Sequence, residues 1–138
     1  MVLRRNAKIE LLKSVPLFAR CSKSELAAIA AEADELDMPA GHALAREGES
    51  GREFIVIVEG QADVRRDGKL INTLGSGDFL GEIALLTGGP RTATVTSTSA
   101  CDLLVLTDRA FRRVTEAMPS VSQKVLQALA DRLAHDAV

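Results

Sequence analysis

The sequence predicts an α+β fold that is mainly β, an antiparallel roll or barrel with helices before and after it. Two changes in the spacing of apolar residues lead to this prediction, because helical spacing stops near residue 37 and returns after Thr107. Between these changes, short runs of β-favouring residues alternate with glycine-rich turns, which is typical of antiparallel rolls and barrels. At 138 residues, the chain is expected to form one domain with its own core.

The first part of the chain, residues 1–37, is expected to be helical. Apolar residues recur there at helical spacing from Leu3 to Leu36. Ser22 and Glu25 have the spacing of a capping box, in which the serine hydroxyl and the glutamate carboxylate each satisfy a free N–H. We therefore expect a helix that begins directly after Ser22.

The middle of the chain, residues 38–107, is expected to form the roll. Asp67-Gly68 lies between two β-favouring runs, and this dipeptide is typical of a two-residue hairpin turn. The expected strands are Phe54–Val58, Ala62–Arg65, Lys69–Leu74, Thr92–Thr96 and Leu103–Leu106.

The last part of the chain, residues 108–138, returns to helical spacing in two stretches. Pro119 separates the two stretches, and Ser120 and Gln123 could form a second capping box at the start of the final helix. A proline between two amphipathic helices is a candidate hinge.

Composition and charge exclude several classes of partner. The 17 basic and 19 acidic residues leave a net charge of -2, and no Lys/Arg block is present, so a nucleic acid polymer is not an expected partner. No apolar run approaches the roughly 20 residues that a spanning helix needs, and the N-terminus lacks a signal-peptide core. We expect no membrane partner and a cytoplasmic location. Cys21 and Cys101 are too few for a disulfide framework and are expected to be buried thiols.

Residues 80–95 carry the chemistry of an anion site. Glycines such as Gly81 let the backbone approach closely, so that consecutive N–H groups can face an anion. Arg91 offers a planar fork that matches two phosphate oxygens, and Glu82 can accept hydrogen bonds from hydroxyl groups. A phosphate together with a sugar hydroxyl describes a nucleotide.

This segment resembles the phosphate-binding cassette of the cyclic-nucleotide-binding domain family. The family pattern of apolar-Gly-Glu-x-small-apolar matches Leu80–Leu85, and its Arg-small-Ala-x-apolar-x-small pattern matches Arg91–Ser97. An upstream family pattern is also met, with Ala45 as a smaller residue than the usual Val, Ile or Cys; it comprises Leu44, Ala45, Gly48–Gly51, Phe54–Ile57 and Gly60. The resemblance implies an antiparallel β-roll, or double-stranded jelly roll, with N-terminal helices, a short cassette helix and two C-terminal helices.

The resemblance also implies roles for individual residues. Arg91 is expected to pair with the cyclic phosphate, and Glu82 to accept from the ribose 2′-hydroxyl while also suiting a helix N-terminus. Thr92 could reach a phosphate oxygen or the base, and an ordinary strand role for it is equally open. The implied ligand-binding residues are Gly81, Glu82, Ile83, Ala84, Arg91, Thr92, Ala93 and Arg132.

The contacts of the base are expected to come from two places. In the family, a side chain of the final helix often covers the purine, and by register this is Arg132 or Leu133; Arg132 could instead pair with Asp136 in solvent. Four apolar residues could supply the walls, although a place in the core is expected for them: Leu70, Ile71, Leu74 and Phe79.

The implied function is that of a regulatory sensor that binds a 3′,5′-cyclic nucleotide, with cAMP favoured and cGMP possible. No cofactor besides this ligand and no enzymatic activity are expected, because His42 and His135 form no metal cluster and no nucleophile faces the phosphate. The ligand is expected to draw the final helix inward as a lid, and the effector is an attached or separate domain. The alternative is a ligand-free interaction domain of the same fold.

Overall fold

The computed structural model of the chain describes residues 3–82 and 84–136. These residues form two compact units, one of residues 34–108 and one of residues 3–33 together with 109–136. The strands are β1 (Asp34–Met38), β2 (Ala43–Ala45), β3 (Glu53–Glu59), β4 (Ala62–Arg66), β5 (Lys69–Leu74), β6 (Phe79–Leu80), β7 (Thr94–Ser97) and β8 (Cys101–Thr107). The helices are α1 (Arg5–Lys13), a 3-10 helix (Pro16–Phe18), α2 (Lys23–Glu32), α3 (Ala84–Thr87), α4 (Asp108–Ala117) and α5 (Pro119–Asp136).

The unit of residues 34–108 is built from two four-stranded antiparallel sheets. Their strand orders are β1-β8-β3-β6 and β2-β7-β4-β5. Alternate residues of the strands turn inward and exclude water from a shared core. This core consists of Ala45, Ile55, Ile57, Ala62, Val95, Cys101, Leu103 and Val105. The antiparallel β-roll that the sequence predicts is confirmed.

The hairpin of β4 and β5 follows the local sequence closely. Asp67 and Gly68 both have positive φ, at 52° and 77°, as the central residues of a type I′ turn require. The turn pairs Arg66 with Lys69, and a register shift between Arg65 and Val64 then places Val64 opposite Asn72. The predicted hairpin is therefore present, and residues of both its strands line the candidate site.

Two expectations for this unit are wrong. The helical N-terminal part ends at Glu32 and not at residue 37, because residues 34–38 form β1 and pair with β8. That pairing depends on a strand far along the chain, which local spacing does not reveal. Leu70 and Ile71 are 51% and 49% exposed and not in the core, because β5 lies at the edge of its sheet.

The helical unit contains the first capping box but not the second. The Ser22 hydroxyl accepts from the Glu25 N–H at 3.2 Å, and the Ser22 N–H donates to Glu25 Oε1 at 2.7 Å. The predicted box of Ser120 and Gln123 is wrong, because α5 already begins at Pro119. Proline suits the first turn of a helix, where its missing N–H would have no helical partner. The Ser120 hydroxyl donates instead to Glu25 Oε2 at 2.6 Å.

Glu25 is the centre of a buried polar cluster that joins α2 to α5. Its carboxylate is 2% exposed and accepts from Lys124 Nζ at 2.5 Å as well as from Ser120 and Ser22. Burial raises the pKa of this carboxyl, but the hydrogen bonds from Lys124, Ser120 and Ser22 outweigh it and lower the pKa to about 2. Burial and the charge of Glu25 raise the pKa of the neighbouring Cys21 thiol to about 11.

Cys21 and Cys101 are both buried free thiols, as expected. Among the described helices, none combines the length and the hydropathy that crossing a bilayer requires.

We predict that Glu25→Gln lowers the free energy of unfolding by about 2 kcal/mol, because it leaves Lys124 without its buried counter-charge. Glu32→Gln is the matched control on the same helix. Its partner Arg113 is 56% exposed, so we expect a loss of less than about 1 kcal/mol. Urea denaturation followed by circular dichroism measures both losses, and equal losses would contradict a special role for Glu25.

The contribution of Glu25 also predicts a pH dependence. Because the folded-state pKa is about 2 and the ordinary value is 4.5, the carboxylate stabilises the fold above pH 4.5 and loses this effect as the pH falls towards 2. The difference in unfolding free energy between the wild type and Glu25→Gln is therefore expected to shrink over this range. A difference that stays constant between these pH values would contradict the assignment.

Candidate ligand-binding site

A cavity of about 470 Å³ lies in the roll unit. The β4–β5 hairpin, β6, the segment around α3 and the start of β7 line it. The lining residues are Ala45, Val64, Arg66, Asn72, Leu74, Phe79, Leu80, Gly81, Glu82, Thr87, Gly89, Pro90, Arg91, Thr92, Ala93 and Val95. The hairpin and β6 therefore contribute apolar side chains together with Arg66 and Asn72. The opposite side is formed by residues 80–95, the segment that the sequence identifies as an anion site.

Arg91 is held at the cavity by its backbone and by its side chain. Its N–H donates to the Glu49 carbonyl at 2.8 Å, and its carbonyl accepts from the Gly48 N–H at 2.9 Å. Its Nη2 donates to the Glu53 carbonyl at 2.7 Å, and Glu53 Oε2 lies 3.4 Å away. The side chain is 9% exposed, while Glu53 is 48% exposed. The guanidinium is thus largely buried against a neutral carbonyl and a long ion pair with a half-exposed carboxylate, which solvent screens, so part of its charge stays available to a ligand.

Two glycines leave the space that this guanidinium fills. A Cβ on Gly51 would lie 2.6 Å from Arg91 Cδ, and a Cβ on Gly81 would lie 2.5 Å from the Glu53 carbonyl oxygen. Gly81 also has a φ of +81°, which favours glycine. The two sequence patterns that the family resemblance uses, one upstream and one in the cassette, therefore meet at the same arginine side chain.

Glu82, Thr92 and Ala93 complete this side of the cavity. Glu82 immediately follows Gly81, and the Oε2 atom of its carboxylate is buried. Thr92 is exposed, and Ala93 is 8% exposed. The buried carboxylate oxygen of Glu82 can accept a hydrogen bond from a hydroxyl group, and the buried guanidinium of Arg91 can donate two hydrogen bonds to an anion.

The structure brings five of the eight predicted site residues to this one cavity: Gly81, Glu82, Arg91, Thr92 and Ala93. Ala84 begins α3, but its side chain and the whole of Ile83 lie outside the described residues. Arg132 belongs to α5 in the helical unit, and its side chain, like that of Leu133, also lies outside the described part. The ligand-binding role of all eight stays a prediction.

Sequence reasoning missed most of the wall that faces these residues. Leu74 and Phe79, for which the sequence allows both a wall and a core position, line the cavity, and Leu74 also packs against the core. Val64, Arg66 and Asn72 line the cavity beside them and were not predicted. Alternation along β4 is the signal that could have found Val64 and Arg66, because it puts them on one face of the strand; Asn72 lies opposite Val64 only through a register shift that the turn does not reveal.

The cavity combines cationic, acidic and apolar lining residues. Within residues 3–82 and 84–136, no group of three or more His, Cys, Asp or Glu side chains could hold a metal ion. The Arg91 guanidinium can bind an anion of the size of a phosphate, and the Glu82 carboxylate can accept hydrogen bonds from a hydroxyl group. The apolar side chains that line the cavity beside them can pack against a flat ring.

Comparisons with known proteins identify relatives of this chain. The model of the family described as "Cyclic nucleotide-binding domain" matches residues 35–117. A "cAMP-dependent protein kinase regulatory subunit" of Mycosarcoma maydis is 36% identical over 131 residues, which cover 88% of this chain and 25% of that protein. A "CRP-like cAMP-activated global transcriptional regulator" of Mycobacterium tuberculosis is 30% identical over 129 residues, 90% of this chain and 58% of that protein. This chain therefore spans a quarter to just over half of these relatives.

Two solved structures share the fold. The N-terminal domain of a transcriptional regulator from Streptomyces coelicolor A3(2) has a TM-score of 0.84 and 30% identity, and the match covers 91% of both chains. The regulatory domain of Toxoplasma gondii PKA, crystallised with cAMP, has a TM-score of 0.73 and 32% identity; the match covers 80% of this chain and 44% of that one.

We predict that Gly81→Ala destabilises the fold by about 1–3 kcal/mol, because it combines a strained φ with a contact against the Glu53 backbone. Gly75→Ala is the control, since a Cβ there meets nothing within 4 Å, and its effect should stay within about 0.5 kcal/mol. Thermal unfolding of both variants tests the prediction. A neutral Gly81→Ala would contradict both the strain at this φ and the close approach of residue 81 to the Glu53 backbone.

Proposed function

The chain belongs to the cyclic nucleotide-binding domain family, and on this basis we propose that it is a regulatory module that binds a 3′,5′-cyclic nucleotide, with cAMP as the favoured ligand. The observation that carries the proposal is that the buried Arg91 guanidinium and the Glu82 carboxylate line the same cavity. The choice of cAMP draws on the names of the relatives, several of which are cAMP-dependent or cAMP-activated.

In this proposal the cyclic phosphate binds at Arg91. Since Nη2 donates to the Glu53 carbonyl, the ligand is left with the other donors of the guanidinium. Gly81 allows the phosphate to approach, because the missing Cβ would otherwise stand against Arg91 Nη1. The Ala93 N–H is the proposed second donor. A charge-assisted bond from a largely buried guanidinium supplies most of the affinity.

The ribose binds at Glu82. An ionised carboxylate only accepts hydrogen bonds, so it suits the 2′-hydroxyl and repels a 2′-phosphate. The base then lies towards Val64, Leu74 and Phe79, whose apolar side chains line the cavity. Arg132 is proposed as the residue of the final helix that covers the purine.

We propose that the module regulates and does not catalyse. Among the described cavity residues, Glu82 is the sole carboxylate, and the ribose occupies it in this proposal. No cofactor besides the nucleotide is needed. The relatives are larger proteins, so the effector is proposed to be an attached or separate domain in the cytoplasm, and it responds to a movement of α5.

We predict that Arg91→Ala weakens cAMP binding by about 2–5 kcal/mol, as expected when one partner of a buried charge pair is lost. Arg52→Ala is the control, because Arg52 is 71% exposed, lies 3.9 Å from Asp108 and is not a lining residue. Calorimetric titration of ligand-stripped protein measures both. Arg91→Lys keeps the charge without the planar fork and is expected to bind with intermediate affinity.

Wild-type affinity in Arg91→Ala would contradict the phosphate assignment. Absence of any heat with cAMP or cGMP in folded wild-type protein would contradict the proposed function and favour a ligand-free interaction domain.

We predict that cAMP changes hydrogen exchange in α5, because a lid must order or move the helix that forms it. Val125 of α5 is 2% exposed in this structure, so a movement that brings its side chain over the base would require it to leave its present contacts. Exchange of residues 119–136, compared with α1 as reference, tests the movement. Unchanged protection in α5 at saturating cAMP, while β4 and β5 gain protection, would contradict it.

A further inference from the structure

We propose that Arg66 reads the base of the bound nucleotide and selectively raises the affinity for a guanine-type base. The inference rests on the proposed function, because it needs a cyclic nucleotide in the cavity. It concerns a residue that neither the family pattern nor the predicted site residues include.

Arg66 is the last residue of β4 and lies on the face of the strand that lines the cavity. Its Nε donates to the Thr92 carbonyl at 2.9 Å, so it is attached to the segment that follows Arg91. This is the one hydrogen bond that Arg66 makes among the described residues. The two terminal nitrogens, Nη1 and Nη2, therefore stay available to a ligand, and one end of the guanidinium is already oriented.

The β4–β5 wall offers hydrogen-bond donors to a base. Asn72 is the other polar side chain of this wall, and its Oδ1 accepts from the Thr73 N–H at 2.8 Å. Its amide therefore has N–H groups left to offer, as the guanidinium of Arg66 does. The remaining lining side chains of the hairpin, Val64 and Leu74, are apolar. Asn72 Oδ1 also keeps one lone pair that can accept, whereas the guanidinium of Arg66 can only donate.

The donors of Arg66 distinguish guanine from adenine. Guanine presents two acceptors, O6 and N7, on one edge, and an arginine fork can bond both of them. Adenine presents N7 beside the N6 amino group, which is a donor and would face the donors of Arg66. The planar fork also makes arginine unlike lysine at such a position. Arg66 is thus expected to add affinity for guanine and little for adenine.

The chain itself supplies a matched control. Arg65 is the preceding residue of β4 and has the same charge, but it is not a lining residue. Its Nη2 lies 3.8 Å from Asp63 Oδ2, and its Nη1 donates a long hydrogen bond to the Gly68 carbonyl. Arg65→Ala and Arg66→Ala therefore change the net charge equally, so any long-range attraction of the anionic ligand falls equally in both variants.

The test is a calorimetric titration of the whole chain with cAMP, cGMP and cyclic IMP. Cyclic IMP carries O6 and N7 but no 2-amino group, so it isolates the edge that Arg66 is proposed to read. We expect Arg66→Ala to lose about tenfold in affinity for both cGMP and cyclic IMP, with cAMP changed by less than about threefold. Arg66→Lys should behave like Arg66→Ala, and Arg65→Ala should bind all three ligands like the wild type.

Three outcomes would overturn the assignment of Arg66. An equal loss for all three nucleotides would show that it acts on the phosphate or stacks on any purine. A loss for cGMP but not for cyclic IMP would show that the 2-amino group is read elsewhere. No loss in Arg66→Ala would show that the guanidinium serves only Thr92. Wild-type protein that binds none of the three would overturn the proposed function together with this inference.

Discussion

The cavity of the roll unit depends on how one arginine side chain is buried. A guanidinium at 9% exposure must find hydrogen-bond partners, and Arg91 finds its partner in the carbonyl of Glu53 at the start of β3. Its backbone pairs with the loop of Gly48 and Glu49. Segments from three parts of the chain are therefore placed with respect to one side chain, and a larger residue at Gly51 or Gly81 would displace it.

This manner of burial leaves the charge of Arg91 usable. A carbonyl satisfies an N–H without cancelling the positive charge, whereas a close buried carboxylate would have neutralised it. Glu53 lies at 3.4 Å and is about half exposed, so solvent screens its attraction. The two lining arginines and one lining carboxylate, Glu82, give the cavity a net positive charge, which matches the single negative charge of a cyclic phosphate.

The helical unit is constrained in a different way. Ser120 and Lys124, in the first turns of α5, both donate to the buried carboxylate of Glu25 on α2. Separating these helices would leave a charge without its partner in a dry environment, which is costly. The more exposed pair of Arg20 and Asp131 adds little to this attachment. A movement of α5 therefore either carries α2 with it or breaks the Glu25 contacts. In the second case, a ligand must bind the moved state more strongly by at least the free energy of those contacts.

The sequence by itself determined the features whose signals are local. The capping box of Ser22 and Glu25 and the hairpin turn at Asp67-Gly68 each depend on neighbours within a few residues, so spacing and residue type were sufficient. The cassette around Glu82 and Arg91 was found through its resemblance to a family pattern. The class of fold followed from the same periodicities.

Only the tertiary structure decided the features that depend on distant partners. Asp34–Met38 became a strand because β8 pairs with it, and Ser120 left its predicted cap because Glu25 lies within reach of its hydroxyl. The cavity wall of Arg66 and Asn72 exists because the hairpin turns that face towards the arginine segment. Such contacts join residues far apart in the chain, and hydrophobic pattern carries no information about which distant surface a given face will meet.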